Sequence, residues 1–70
     1  MNDRVEMVHS STKKRRYIGK TTVSFENGEL YECDGPRADS LSGAWYDIKD
    51  ESGEWYMYQE QFVKDNFDMA

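Results

Sequence analysis

Residues 44–58 read AWYDIKDESGEWYMY. Two β-prone runs flank Glu51-Ser52-Gly53, so the stretch reads as a hairpin. A three-residue loop with Gly53 in a left-handed conformation pairs Asp50 with Glu54. Ile48 then faces Tyr56, and Tyr46 faces Tyr58. Side chains alternate along a strand, so these four share one side as a core strip. Asp47, Lys49, Trp55 and Met57 take the other side, with Trp45 at its end. A two-residue loop would pair Ile48 with Trp55 and fit the pattern less well. The expected strands are Ala44–Asp50 and Glu54–Tyr58.

Upstream, Arg15, Arg16, Tyr17 and Ile18 read as a first strand ending at Gly19. Thr21, Thr22, Val23 and Phe25 are β-formers. Asn27-Gly28 follows, a strong hairpin dipeptide, and Leu30–Asp34 is the return strand. On that strand Tyr31 and Cys33 share one face, and Glu32 and Asp34 the other. Gly35-Pro36 is expected to stop it, leaving residues 35–43 as a loop held by Leu41. Downstream, Gln59-Glu60-Gln61 reads as one helical turn. Phe62 and Val63 then begin a last short strand reaching Phe67. No stretch of ten residues carries a helical stripe.

The chain has 70 residues, the size of one domain. A chain this short has a compact core and little room for an internal pocket. Aromatics make up 14% of it, too many for a disordered polymer, and the first of them is Tyr17. Residues 1–14 therefore read as a flexible basic arm and 15–70 as the folded domain. Charge divides the same way. Residues 1–20 hold six basic side chains against two acidic ones, net +4, and residues 21–70 three against twelve, net −9. Neither a signal peptide nor a membrane-length apolar run is visible, and one cysteine cannot form an internal disulfide. The expected location is the cytoplasm.

Tyr17-Ile18-Gly19-Lys20, Phe25-x-Asn27-Gly28-x-x-Tyr31-Glu32, Tyr46-x-Ile48-x-Asp50-Glu51-Ser52-Gly53-Glu54-x-Tyr56-x-Tyr58 and Phe62 resemble a family of very small proteins. These are minimal SH3-like β-barrel proteins of Gram-positive bacteria and their phages, largely without assigned function. The resemblance covers residues 15–67, and the DESGE turn with its flanking aromatics is its most specific part. It implies an all-β, five-stranded SH3-like barrel. The other architectures compatible with the pattern are a small antiparallel sheet, an OB-like barrel, and an α+β unit should residues 59–69 be more helical. The Ala-Leu-Tyr-Asp-Tyr-type motif and Trp-Trp pair of peptide-binding SH3 domains are absent, so poly-proline recognition does not carry over. Fold alone supplies no function.

Each candidate chemistry has a plainer rival. Cys33 and His9 are the one pair that suggests nucleophilic catalysis, but Cys33 falls on a core face, where a free cysteine acts as a small hydrophobe. Asp47, Asp50, Glu51 and Glu54 crowd one turn without calcium-loop spacing and read as a solvated tip. One Cys and one His leave no zinc site. No catalytic residue, metal or cofactor is expected. Lys13, Lys14, Arg15 and Arg16 suit phosphate contact, but the acidic body opposes nucleic acid, and a solubilising arm is the rival reading. Trp45, Trp55 and Met57 are surplus to the core face. Exposed together, they would anchor a protein partner, with Asp47, Glu54 and Asp34 as an acidic rim favouring a basic one. Their rival role is packing beneath the arm, the long loop or Phe67. The expected function is a non-enzymatic protein-binding module. The alternative is a phage- or mobile-element-encoded inhibitor of a nucleic-acid enzyme, such as a polymerase or Cas nuclease, whose acidity mimics DNA.

Overall fold

The computed structural model describes residues 12–39 and 43–69. The expected arm up to residue 11, with His9, and the Leu41 anchor lie outside them. The fold is mostly β: one four-stranded antiparallel sheet and one short helix. In chain order these are β1 (Lys13–Arg16), β2 (Leu30–Asp39), β3 (Gly43–Lys49), β4 (Trp55–Gln59) and α1 (Glu60–Asn66). The strands lie in sequence order, each antiparallel to the next.

The β3–β4 hairpin has the expected register. Ile48 pairs with Tyr56 and Tyr46 with Tyr58, and the Asp50 N–H donates to the Glu54 carbonyl at 3.1 Å. Gly53 has φ +83°, the conformation the three-residue turn requires. On β2, Tyr31 and Cys33 face the core as alternation dictates.

Four expectations are corrected. The Asn27-Gly28 hairpin does not form, because Asn27 keeps a negative φ and only Gly28 is positive, at +93°. Residues 18–29 instead make a long loop whose backbone is tied by its own side chains. Thr22 Oγ1 accepts from the Ser24 and Phe25 N–H groups, and Thr21 Oγ1 from that of Asn27. Local bonds of this kind compete with a strand ladder. Secondly, Gly35-Pro36, a cis peptide, does not end β2. The strand continues through a bulge, with one extra residue between the Asp34–Asp47 and Arg37–Trp45 pairs. A bulge accommodates proline, which has no N–H to give a ladder.

Thirdly, residues 60–66 are helical, not a turn followed by a strand. Val63 and Phe67 stand one helical turn apart, and both are sealed in the core. The Asn66 side chain donates to the Phe62 carbonyl, and Gln61 to Asp65. Fourthly, β1 starts at Lys13, so Lys13 and Lys14 belong to the sheet rather than to an arm. Past its other end, Tyr17 bridges to Phe67. The Ile18 N–H donates to the Asn66 carbonyl at 2.7 Å, and the Asp68 N–H to that of Arg16 at 2.8 Å.

The core is an aromatic cluster of Tyr17, Phe25, Tyr31, Tyr46 and Phe67, completed by Cys33, Ile48 and Val63. Phe25, delivered by the long loop, sits at its centre. Its ring centroid lies 5.1 Å from Tyr17, 5.0 Å from Tyr31, 5.5 Å from Tyr58 and 5.4 Å from Phe67. The Tyr31 hydroxyl accepts from the Glu26 N–H and donates to Glu51, tying the long loop to the β3–β4 turn. Burial, with Glu51 beside it, pushes the Tyr31 phenol up to about 12.

Candidate binding surface on the β3–β4 hairpin

The outer face of the sheet gathers most of the expected anchors. Met57 is 65% exposed and stands opposite Asp47. Trp45 lies between Arg37 and Gln59, and with Met57, Tyr58 and Gln59 it lines a shallow hollow of about 270 Å³. Trp55 lies opposite Lys49. Both indoles are half-buried rather than open.

The acidic rim is not assembled as expected. Asp34 is buried, and its carboxylate accepts from the Arg37 guanidinium at 2.7 Å. Asp47, cross-strand from Asp34, lies 3.6 Å from the same nitrogen. The hydrogen bond to Asp34 and the charge of Asp47 raise the Arg37 pKa above its ordinary value. One cation therefore neutralises much of two acids. Glu54 is exposed, but register puts it with Tyr56 and Tyr58 on the opposite face from Met57. The outer face is an apolar strip around a clamped arginine, not an acidic one.

The inner side of β4 departs further from the expected core strip. Tyr58 is partly buried and stacks on Phe62 at 5.0 Å, but Tyr56 is 49% exposed. The long loop plugs the core with Phe25 and then stops short of Tyr56. Its Ser24 carbonyl accepts from the Glu51 N–H, and Val23 is left 96% exposed. Between loop and strand lies an open hollow of about 490 Å³, lined by Val23, Ser24, Asp50, Ser52, Tyr56 and Tyr58. None of these is cationic. Burial, then the charge of Asp50, raises the Tyr58 phenol pKa. Nothing in the sequence marked this hollow, since Val23 reads there as one of a run of β-formers.

No family model, curated protein or solved structure matches this chain.

The remaining candidates are dispersed. Asp50 is buried and accepts from the Ser52 backbone N–H and hydroxyl, closing the turn. Among the described residues no group of three or more His, Cys, Asp or Glu could hold a metal ion. The basic run is split by the pleat. Lys14 and Arg16 pair with Glu32 and Leu30, whereas Lys13 and Arg15 pair with Cys33 and Tyr31 and so point to the other face. Arg16 donates to the Gly28 carbonyl. Four consecutive cations thus present no single phosphate-binding face. No helix among the described residues is long and apolar enough to cross a membrane.

Cys33 is 2% exposed, and burial pushes its thiol up to about 11. A thiol is nucleophilic only as thiolate, so little is available at pH 8. A disulfide reagent such as DTNB is therefore expected to leave Cys33 unmodified in the native protein at pH 8. It should titrate one thiol per chain at once in denaturant. Rapid native labelling would show that the strand is not packed as described.

Proposed function

We propose that this chain is a non-enzymatic protein-binding module built on a five-stranded SH3-like barrel, with the outer edge of β4 around Tyr56 and Met57 as its reading edge. For the barrel, the support is the Tyr17–Phe67 bridge and the hydrogen bonds on either side of it, which align residues 66–68 with β1 as a fifth strand would. For the function, one observation carries the reading. Among the described residues β4 is the end strand of the sheet, and its consecutive residues Tyr56 and Met57 present half-exposed or more exposed apolar side chains on opposite faces. An unpaired edge with apolar groups on both faces is what an extended partner segment needs to add as a further strand.

The two sheet edges differ in kind. β1 is Lys-Lys-Arg-Arg, four charges of the sort that discourage edge pairing, and its far end is already met by residues 66–68. β4 is Trp-Tyr-Met-Tyr-Gln, with no charge, proline or glycine. A protein that exposes such an edge without guarding it uses it or aggregates.

Affinity capture with the full chain as bait tests this. Met57→Lys adds a charge at the centre of the open edge, where 65% of the side chain is already in solvent, so stability is expected to change by less than about 0.5 kcal/mol. Partners held by the wild-type bait should be lost with Met57→Lys and retained with Lys14→Met. Capture that persists at about 0.5 M salt supports an apolar strand contact, because salt screens charge and not burial. Capture abolished by that salt, and indifferent to Met57→Lys, would favour an acidic inhibitor of a nucleic-acid enzyme instead.

A further inference from the structure

The hollow beside β4 bears on what such a partner must look like. Register puts Asp50 and Glu54 on the same face as Tyr56 and Tyr58. That face therefore runs from an acidic end, the turn with Asp50, Glu51 and Glu54, to an aromatic end at Tyr58 and Phe62. Val23, on the loop side, borders the space across from Tyr56, and among the described residues no lysine or arginine lines it.

Resting on the reading of β4 as a docking edge, we infer that its occupant is an extended segment of another protein carrying apolar-apolar-x-Lys/Arg. The register of an added antiparallel strand requires this spacing. The residue opposite Tyr56 points into the hollow between Tyr56 and Val23 and must be aliphatic to fill it. The preceding residue lies opposite Met57 on the outer face and is apolar for the same reason. Two residues after the one in the hollow, the strand returns to the same face opposite Glu54. A cation there meets Glu54, with Asp50 and Glu51 behind it. Asp50 and Glu51 are already hydrogen-bonded to Ser52 and Tyr31, so Glu54 is the direct contact and the others supply field.

A second copy of this chain fits poorly. Its own β4, paired antiparallel about Met57, brings no cation and sets Glu54 opposite Glu60 at both ends. Like charges placed opposite each other across strands are destabilising. The charge pattern therefore favours a basic foreign segment over self-association.

The probe is a fluorescein-labelled, end-capped hexapeptide, Thr-Val-Ile-Thr-Lys-Thr, titrated with the full chain and read by anisotropy at low salt. The same peptide with Glu for Lys is expected to bind at least about ten-fold more weakly. Glu54→Gln should weaken the Lys peptide about three-fold without weakening the Glu peptide. Val23→Ser should weaken both, since it removes apolar surface bordering the hollow and not a charge. Equal affinity for the two peptides would overturn the assigned chemistry while leaving β4 as an edge that takes strands. Binding of neither at millimolar protein also overturns the inference, and the Met57→Lys capture experiment then judges the docking edge separately. A dimer in sedimentation equilibrium that Met57→Lys dissociates would overturn it in favour of a second copy.

Discussion

Phe25→Ala is expected to lower the melting temperature by about 15–30 °C or to leave no cooperative transition at all. The ring is 2% exposed and within 5.5 Å of four others, Tyr17, Tyr31, Tyr58 and Phe67. Truncating a buried Phe removes its transfer free energy and leaves a cavity, together costing about 3–5 kcal/mol. Each kcal/mol shifts the midpoint of a domain this size by about 4–8 °C. Collapse around the gap is limited, because the neighbouring rings are held separately on β2, on β4 and at the Tyr17–Phe67 bridge. The loss approaches the whole stability expected of a small domain. Val23→Ala is the control from the same loop. With Val23 96% exposed, its effect should stay within about 0.5 kcal/mol. Thermal or urea unfolding followed by circular dichroism reads both. A wild-type midpoint for Phe25→Ala would show that the loop does not supply the centre of the core.

Gly35→Ala is expected to cost about 2–4 kcal/mol, from clash and backbone strain together. A methyl there would lie 2.9 Å from Tyr46 Cδ2, 3.1 Å from the Trp45 carbonyl oxygen and 3.2 Å from Tyr46 Cα. Two of those atoms are backbone of the paired strand and cannot swing away. Gly35 also has φ +150°, which side-chain-bearing residues rarely adopt. Gly28→Ala separates the two causes. Gly28 has φ +93° but nothing within 4 Å of its missing methyl, so it should lose only about 1 kcal/mol. Urea midpoints compare them. Equal losses would mean that the bulge gives way and the crowding at β3 is not felt.

What the sequence revealed depended on how local the determinant was. The β3–β4 register was legible because Gly53 sets the turn and alternation propagates it through Ile48 and Tyr46. Burial along the same strip was not. Whether Tyr56 is covered depends on how far a loop thirty residues earlier in the chain reaches across the sheet, and Val23 of that loop stays 96% exposed. The Asn27-Gly28 dipeptide misled because Thr21 and Thr22 offered the backbone nearer partners. The seven residues of α1 are too few for a periodic stripe, so Phe62, Val63 and Phe67 read equally as strand. Asp34 and Asp47 looked like rim charges until the bulge at Gly35 and Pro36 brought Arg37 across to both. Trp45 and Met57 were legible as surplus aromatic and apolar groups, whereas the hollow between Val23 and Tyr56 joins segments that no sequence pattern links.

The hydrogen bond from Asp68 to Arg16 has a consequence for biosynthesis. The two residues lie 52 positions apart in the sequence, so the sheet's opening strand waits for its clasp until translation has passed position 68. Until then Tyr17, Phe25 and Tyr31 lack Phe67 as a lid, and the nascent chain leaves the ribosome with its aromatic centre uncovered. Closure of the core therefore cannot precede the emergence of residue 68, and the chain short of that point is the form with most reason to need a chaperone.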